Sequence, residues 1–163
     1  MSKPLMVHVI TNFAGVGGAE MMLARLIQCT EQQYEHVIIA LMITSEVYQS
    51  TLDRCQAHYA LDWNGINTLG TVSKLRTLLK KLQPATVQCW MYHANVLTSL
   101  SIIGLAQKPK VVWGIHHSLA SPKDESISTK IALGLSKILS QQASAIIYCA
   151  HSSMQQHQAF GFK

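Results

Sequence analysis

The sequence predicts an α/β domain, a doubly wound parallel sheet of about six strands with helices on both faces. Three observations lead there. Short β-rich runs alternate with longer segments of helical periodicity along the chain. The strand runs are continuously apolar, as strands buried on both faces are, rather than alternating. The 163 residues are 48% apolar and only 13% charged, against about 25% charged in an ordinary soluble domain, enough for a single core of two or three layers.

Leu5 to Ile10 is the first strand, and a glycine-rich turn follows it. Ala19, Met22, Leu23, Leu26 and Ile27 then recur at helical spacing up to about Thr30. His36 to Met42 is the second and most strongly patterned strand. Residues from about Glu46 to Ala57 read as a weaker helix, and His58 to Leu61 as a short strand. Thr71 to Leu82 is an amphipathic helix that ends before Pro84, because the residue preceding a proline is driven out of the helical region. Ala85 to Met91 returns to strand, Ala94 to Ala106 to helix and Lys110 to His116 to strand. A loop containing Pro122 leads to a helix from Ile127 to Gln142, a last strand from Ala145 to Cys149 and a closing helix from Ser152 to Phe160. One Rossmann-like domain over residues 1–163 accounts for the whole pattern. Ligands of such sheets sit beyond the carboxyl ends of the strands, so the loops after Ile10, Met91 and Ile115 are the ones that bear on function.

Composition narrows the function classes. The formal charge of +5, from 13 Lys and Arg against 8 Asp and Glu, suits anionic partners such as phosphates or acidic headgroups. No stretch clusters Lys and Arg with interleaved aromatics, which disfavours a nucleic-acid partner. Cys29, Cys55, Cys89 and Cys149 are scattered without a CxxC, so neither a zinc site nor a disulfide framework is suggested. Cys29, Cys89 and Cys149 lie in apolar runs and read as small core residues. The expected setting is a reducing cytoplasm. No run reaches the ~18 apolar residues of a membrane span, and none resembles a signal peptide.

Thr11-Asn12-Phe13-Ala14-Gly15-Val16-Gly17-Gly18-Ala19-Glu20 joins the first strand to the first helix. Glycines there allow close backbone approach to a ligand at a helix N-terminus, which favours anions. A dinucleotide fingerprint is disfavoured: Glu20 takes the place of its third glycine, and Leu41-Met42-Ile43-Thr44 lacks the acidic ribose ligand. A P-loop is excluded, because no GKS or GKT follows. The plainer alternative is a tight turn in which Glu20 complements the helix dipole.

The fourth strand ends in Trp90-Met91-Tyr92-His93-Ala94-Asn95 and the fifth in Val112-Trp113-Gly114-Ile115-His116-His117-Ser118. His93, His116 and His117 thus stand at the ligand edge of the sheet, whereas His8, His36 and His58 read as surface or satisfied core residues. Together with the glycine segment, the three blocks resemble, in order and spacing, the N-terminal domain of family-four glycosyltransferases of the GT-B type. The resemblance extends over essentially the whole chain.

That resemblance implies roles residue by residue. Gly15, Gly17 and Gly18 would border the donor diphosphate, and Glu20 matches the acidic residue that follows those glycines. His116 best matches the histidine near the transferred sugar, with His117 as a rival for the same role. Asn12, Tyr92, His93 and Asn95 would face the acceptor. The implied reaction retains anomeric configuration and uses a nucleotide-sugar donor as co-substrate, with no other cofactor. It needs no metal, and Asp53, Asp62 and Asp124 are isolated rather than paired. The donor-binding half of the family, with its paired glutamates, would follow residue 163. The expectation is therefore a domain that does not catalyse alone and whose first partner is that C-terminal domain. The sequence is compatible both with an excised domain and with a natural half-protein.

Two further readings complete the picture. Thr71 to Leu82 sets Leu75, Leu78, Leu79 and Leu82 opposite Lys74, Arg76, Lys80 and Lys81, either an ordinary sheet-covering helix or a face for anionic lipid. The implied acceptors are glycans or lipid-linked glycans of polysaccharide, lipopolysaccharide or glycolipid assembly, at the inner face of the membrane. The alternative from another class is a non-catalytic binding or assembly module on the same fold.

Overall fold

The computed structural model describes residues 3–119 and 126–163; the expected loop at Pro122 and the isolated Asp124 lie outside them. The chain runs β1 (Leu5–Ile10), α1 (Gly18–Thr30), β2 (Glu35–Ala40), a 3-10 turn (Glu46–Tyr48) into α2 (Gln49–Leu52), β3 (Ala57–Ala60) and α3 (Thr68–Leu82). It continues through β4 (Thr86–Trp90), α4 (Tyr92–Ser101), β5 (Lys110–Ile115), α5 (Ile127–Leu139), β6 (Ala145–Tyr148) and α6 (His151–Phe160). All six strands are parallel, in the order β3-β2-β1-β4-β5-β6. The expected doubly wound sheet is what forms.

The side-chain alternation of each strand divides the core in two. Val7, Val9, Val37, Ile39, Val87, Cys89 and Trp113 pack on one face against Leu75 and Leu79 of α3, Leu97 of α4 and Leu133 of α5. Ile10, Ile38, Ala40 and Trp90 pack on the other against Ala19, Leu23 and Ile27 of α1. The edge strands β3 and β6 are only half-buried. α4 is buried on nearly every side between α3 and α5, which explains why its sequence is rich in Ala, Ser and Thr rather than charge.

The helix boundaries differ from expectation where local bonds override pattern. α3 starts at Thr68 because Asn64 Oδ1 accepts from the backbone N–H groups of Ile66 and Asn67 and turns the chain early. α4 starts at Tyr92 and stops at Ser101, and Gly104 follows at φ 70°, so the expected extension to Ala106 does not form. The helix expected from Glu46 to Ala57 shrinks to the 3-10 turn and the four residues of α2. Cys89 is buried in the core as expected, but Cys29 and Cys149 are exposed. Cys29 sits on the outer side of α1, whose buried residues are Ala19, Leu23 and Ile27, and Cys149 follows the edge strand. Met22 is likewise turned outward and about half exposed.

Candidate functional site

Successive strands run outward from β1 to β3, then return to β4 and run outward again to β6. β1 and β4 are therefore the neighbours between which the sequence order reverses, with Ile10 opposite Trp90 at their carboxyl ends. The loops that leave these two strands diverge and open a crevice. A cleft of about 380 Å³ occupies it. Its wall is built from Thr11, Asn12, Gly17, Gly18 and Glu20 of the first loop, Met91, Tyr92 and His93 at the start of α4, His116 and His117 after β5, and Thr129 of α5. Four segments separated in sequence meet there. A second cavity, of about 440 Å³, lies at the opposite edge between the end of α3 and Pro109 and contains none of the expected residues.

Gly15 and Asn95 fall outside the cleft wall. Gly15 serves a turn: its carbonyl accepts from Tyr48 Oη at 2.8 Å, and Phe13 stacks on the Tyr48 ring at 4.2 Å. Backbone bonds from Phe13 to Ile43 and from Ser45 to Phe13 tie the same turn to the segment after β2. Asn95 is fully buried in the first turn of α4, with no hydrogen-bond partner for its amide. It has no surface with which to meet an acceptor directly.

Gly17 is the extended residue that precedes α1, and a Cβ there would lie 2.5 Å from Glu20 Oε2. The Glu20 carboxylate thus folds back toward the N-terminus of its own helix, where it complements the dipole. An arriving anion would meet this carboxylate at the helix end. Thr11 Oγ1 and Asn12 Oδ1 are buried in the wall without a hydrogen-bond partner among the described residues, as is His93 Nε2.

Burial depresses the basicity of His93, opposed by a bond to the Ser128 backbone, and burial alone depresses that of His116. Both imidazoles are neutral at physiological pH, each with one donor and one acceptor nitrogen suited to sugar hydroxyls. His116 lies flat on Trp90, ring centres 5.0 Å apart and planes 16° apart. Its position depends on Gly114, where a Cβ would come within 3.0 Å of His116 Nε2 and 3.1 Å of the Cys89 carbonyl. The Tyr92 ring meets His117 edge-on at 6.4 Å, and the Trp63 ring lies 5.1 Å from His93. Met91, between β4 and α4, has φ 76° and ψ 162°, a conformation that strains any residue but glycine.

Sequence reasoning missed the support behind the histidines. α6 holds the loop after β5 through two residues: Ser153 Oγ donates to the His117 carbonyl at 2.8 Å, and Gln156 Oε1 accepts from Ser118 Oγ and from the Leu119 N–H. A third residue of α6, His157, bonds Tyr92 at the start of α4. Thr129 was missed as well; it reaches the cleft because Ser126 Oγ accepts its N–H at 3.2 Å and starts α5 there. No spacing rule announces the contacts of α6, which join residues 36 to 65 positions apart. Among the described residues no group of three or more His, Cys, Asp or Glu is gathered to hold a metal ion, and no helix is long and apolar enough to cross a membrane.

The same fold occurs in solved structures. The crystal structure of Anabaena HepE in complex with UDP-glucose aligns with a TM-score of 0.72 at 15% identity, over 97% of this chain and 41% of that one. The lipopolysaccharide outer core galactosyltransferase WaaB, apo form, gives 0.72 at 14% identity, over 98% and 43%. A UDP-N-acetylglucosamine 2-epimerase from Rickettsia bellii gives 0.65 at 13% identity, over 99% and 43%. The chain therefore spans about two fifths of the length of these proteins. At such identities the likeness is one of fold, and it extends beyond transferases. No curated protein matches the sequence. The description of Glycosyltransferase Family 4 matches residues 16–163, from inside the glycine loop to the last residue. With that match over a sheet that corresponds to the N-terminal half of a GT-B fold, the chain belongs to Glycosyltransferase Family 4.

Proposed function

We propose that this chain is the acceptor-side domain of a retaining, metal-independent glycosyltransferase, which moves a sugar from a nucleotide-sugar donor to a glycan or lipid-linked acceptor. The observation that carries the reading is the convergence of Gly17–Gly18, His93 and His116–His117 on one cleft at the point where strand order reverses. Glycosyl transfer develops positive character on the sugar and negative charge on the departing diphosphate. The N–H groups at the start of α1 would meet that negative charge once the Glu20 carboxylate turns away from the helix end. The neutral imidazoles of His93 and His116 are suited to sugar hydroxyls beside it. The open side of the cleft requires a second domain to enclose the leaving group, so the chain alone is inactive.

A lipid surface is the second part of the reading, and the exposed side of α5 supports it better than α3 does. Leu75 and Leu79 of α3 are buried in the core, with Leu78 and Leu82 packed at its margin, so the leucine face expected there is not free. α5 has a free apolar stripe: Ile127, Ile131, Leu135 and Ile138 are exposed on the side opposite its packed residues Ala132, Leu133, Ser136 and Leu139. Lys130 and Lys137 flank this stripe, and α5 carries no carboxylate. An apolar stripe bordered by lysines suits an anionic bilayer at the cytoplasmic face. Thr129 on the same helix lines the cleft, which would bring a lipid-linked acceptor to the site.

The test is transfer by a protein that contains this domain followed by a donor-binding domain, assayed with a panel of nucleotide sugars and with the 163-residue chain as control. Product from the longer protein and none from the chain is the expected result. A longer protein that binds no nucleotide sugar would overturn the reading in favour of a binding or assembly module. Co-sedimentation with acidic and neutral vesicles tests the lipid face; Ile131→Asn with Ile138→Asn should abolish binding, and equal binding of the variant refutes it.

A further inference from the structure

A row of four rings crosses the α1-covered face of the sheet and ends at the cleft. His36 of β2, His8 of β1, Trp90 of β4 and His116 just after β5 follow one another in the order of the strands. Their bonds have a fixed direction. The indole Nε1 of Trp90 can only donate, and it lies 3.4 Å from His8 Nδ1. His8 Nδ1 therefore accepts, so its proton sits on Nε2, which donates to His36 Nδ1 at 3.0 Å. His36 in turn carries its proton on Nε2 and donates to Thr30 Oγ1 at 3.1 Å, while Thr30 donates to the Leu26 carbonyl. At the other end of the row Trp90 carries His116 flat on its face. Aliphatic residues would fill this space without the cost of desolvating two imidazoles. What they could not provide is an acceptor for the Trp90 N–H.

We propose that His8 and His36 are positioning residues of the cleft, which fix the plane of Trp90 and through it the imidazole of His116. The inference rests on the reading of His116 as a site residue. The row conveys orientation rather than charge. Burial, with a smaller contribution from His36, holds His8 down to about 3; burial also lowers His36, with Glu31 opposing and Lys3 reinforcing the shift. Tyr34 is the remaining ring beside His36, at 6.3 Å. A proton on either histidine would turn an acceptor into a donor and break the row.

Nuclear magnetic resonance of the nitrogen-labelled 163-residue chain tests this without an enzyme assay. In the unaltered chain, His8 and His36 should both show the Nε2–H tautomer at neutral pH. The Nδ1–H tautomer at either one overturns the proposal, and this measurement needs no substitution to fold. His8→Phe keeps a ring but removes the acceptor. The Trp90 indole proton should then move upfield and exchange about tenfold faster, and the His116 ring protons should lose the upfield displacement that stacking on Trp90 imposes. His8→Gln, which can both accept and donate, should restore the His116 signals. Unmoved His116 signals in a folded His8→Phe chain whose Trp90 signal has changed would overturn the proposal. Failure of the longer protein to transfer sugar would overturn the functional reading and leave these spectra unchanged.

Discussion

Tyr92 Oη lies 2.6 Å from His157 Nε2, and the direction of that bond is set by the other side of the imidazole. His157 Nδ1 is 2.7 Å from the Ser153 carbonyl, which can only accept, so the ring proton is on Nδ1 and Nε2 accepts from the tyrosine. One hydroxyl thus ties the cleft wall at the start of α4 to α6, the helix that also holds the His117 carbonyl and the loop after it.

Tyr92→Phe should remove the donor and leave a buried imidazole nitrogen unpaired, at a cost of about 1–3 kcal/mol. Urea denaturation of the chain and the variant measures it. If α6 supports the histidine loop in this way, the signals of His117 and Ser118 should also broaden or shift, although neither residue is altered.

Gly114→Ala should destabilise by about 1–3 kcal/mol, the usual range for overpacking a filled core. The added Cβ would meet both the His116 imidazole and the Cys89 backbone carbonyl, and the carbonyl has no rotamer with which to yield. The same denaturation experiment, with His116 resonances as a local readout, checks it; Gly18→Ala, where nothing lies within 4 Å, is the mild comparison.

Stability should fall as pH drops below about 6.5, the ordinary histidine value. The basicities of His8, His36, His93, His116 and His157 are all lowered in the folded chain, so the unfolded state binds more protons in this window. Stability is then fully present above the unfolded value and is lost as pH falls toward the folded values, about 3 for His8. For His8, which is fully buried, the slope is about 1.4 kcal/mol per pH unit. Denaturation midpoints between pH 4 and 7 should show this decline (roughly the span between the two protonation limits), and His8→Phe should flatten it.

His116→Ala, in a protein that carries this domain with its donor-binding partner, should lower kcat by about 10²-fold, as loss of a group that positions the reacting sugar does. Asn95→Ala should leave the KM for acceptor unchanged, because its amide is fully buried away from the cleft. Steady-state kinetics with varied acceptor separates the two cases.

Much of the fold is open to sequence reasoning because it is local. The strands around Val37 and Val111 are apolar runs, the glycine loop is contiguous, and Gly161 ends α6 at φ 108° as a residue without a Cβ can. Asn95 shows where such reasoning stops. It lies three residues beyond the cleft-lining Tyr92, yet the first turn of α4 rotates it into the core between α3 and α5. The polar supports Ser153, Gln156 and His157 gave no signal either, since each is defined by its partner on another element.

The amino-acid sequence by itself determined the α/β class, the six strands and the three loops that carry the glycines and histidines, because hydrophobic period and chain-breaking residues act over a few positions. Tertiary structure alone decided the order of the strands, and with it which loops share a cleft. It also decided which helix shows an apolar face to solvent, that His8, His36 and Trp90 form a row ending at His116, and that α6 braces the site. These depend on which elements lie side by side, and no local periodicity encodes a neighbour dozens of residues away.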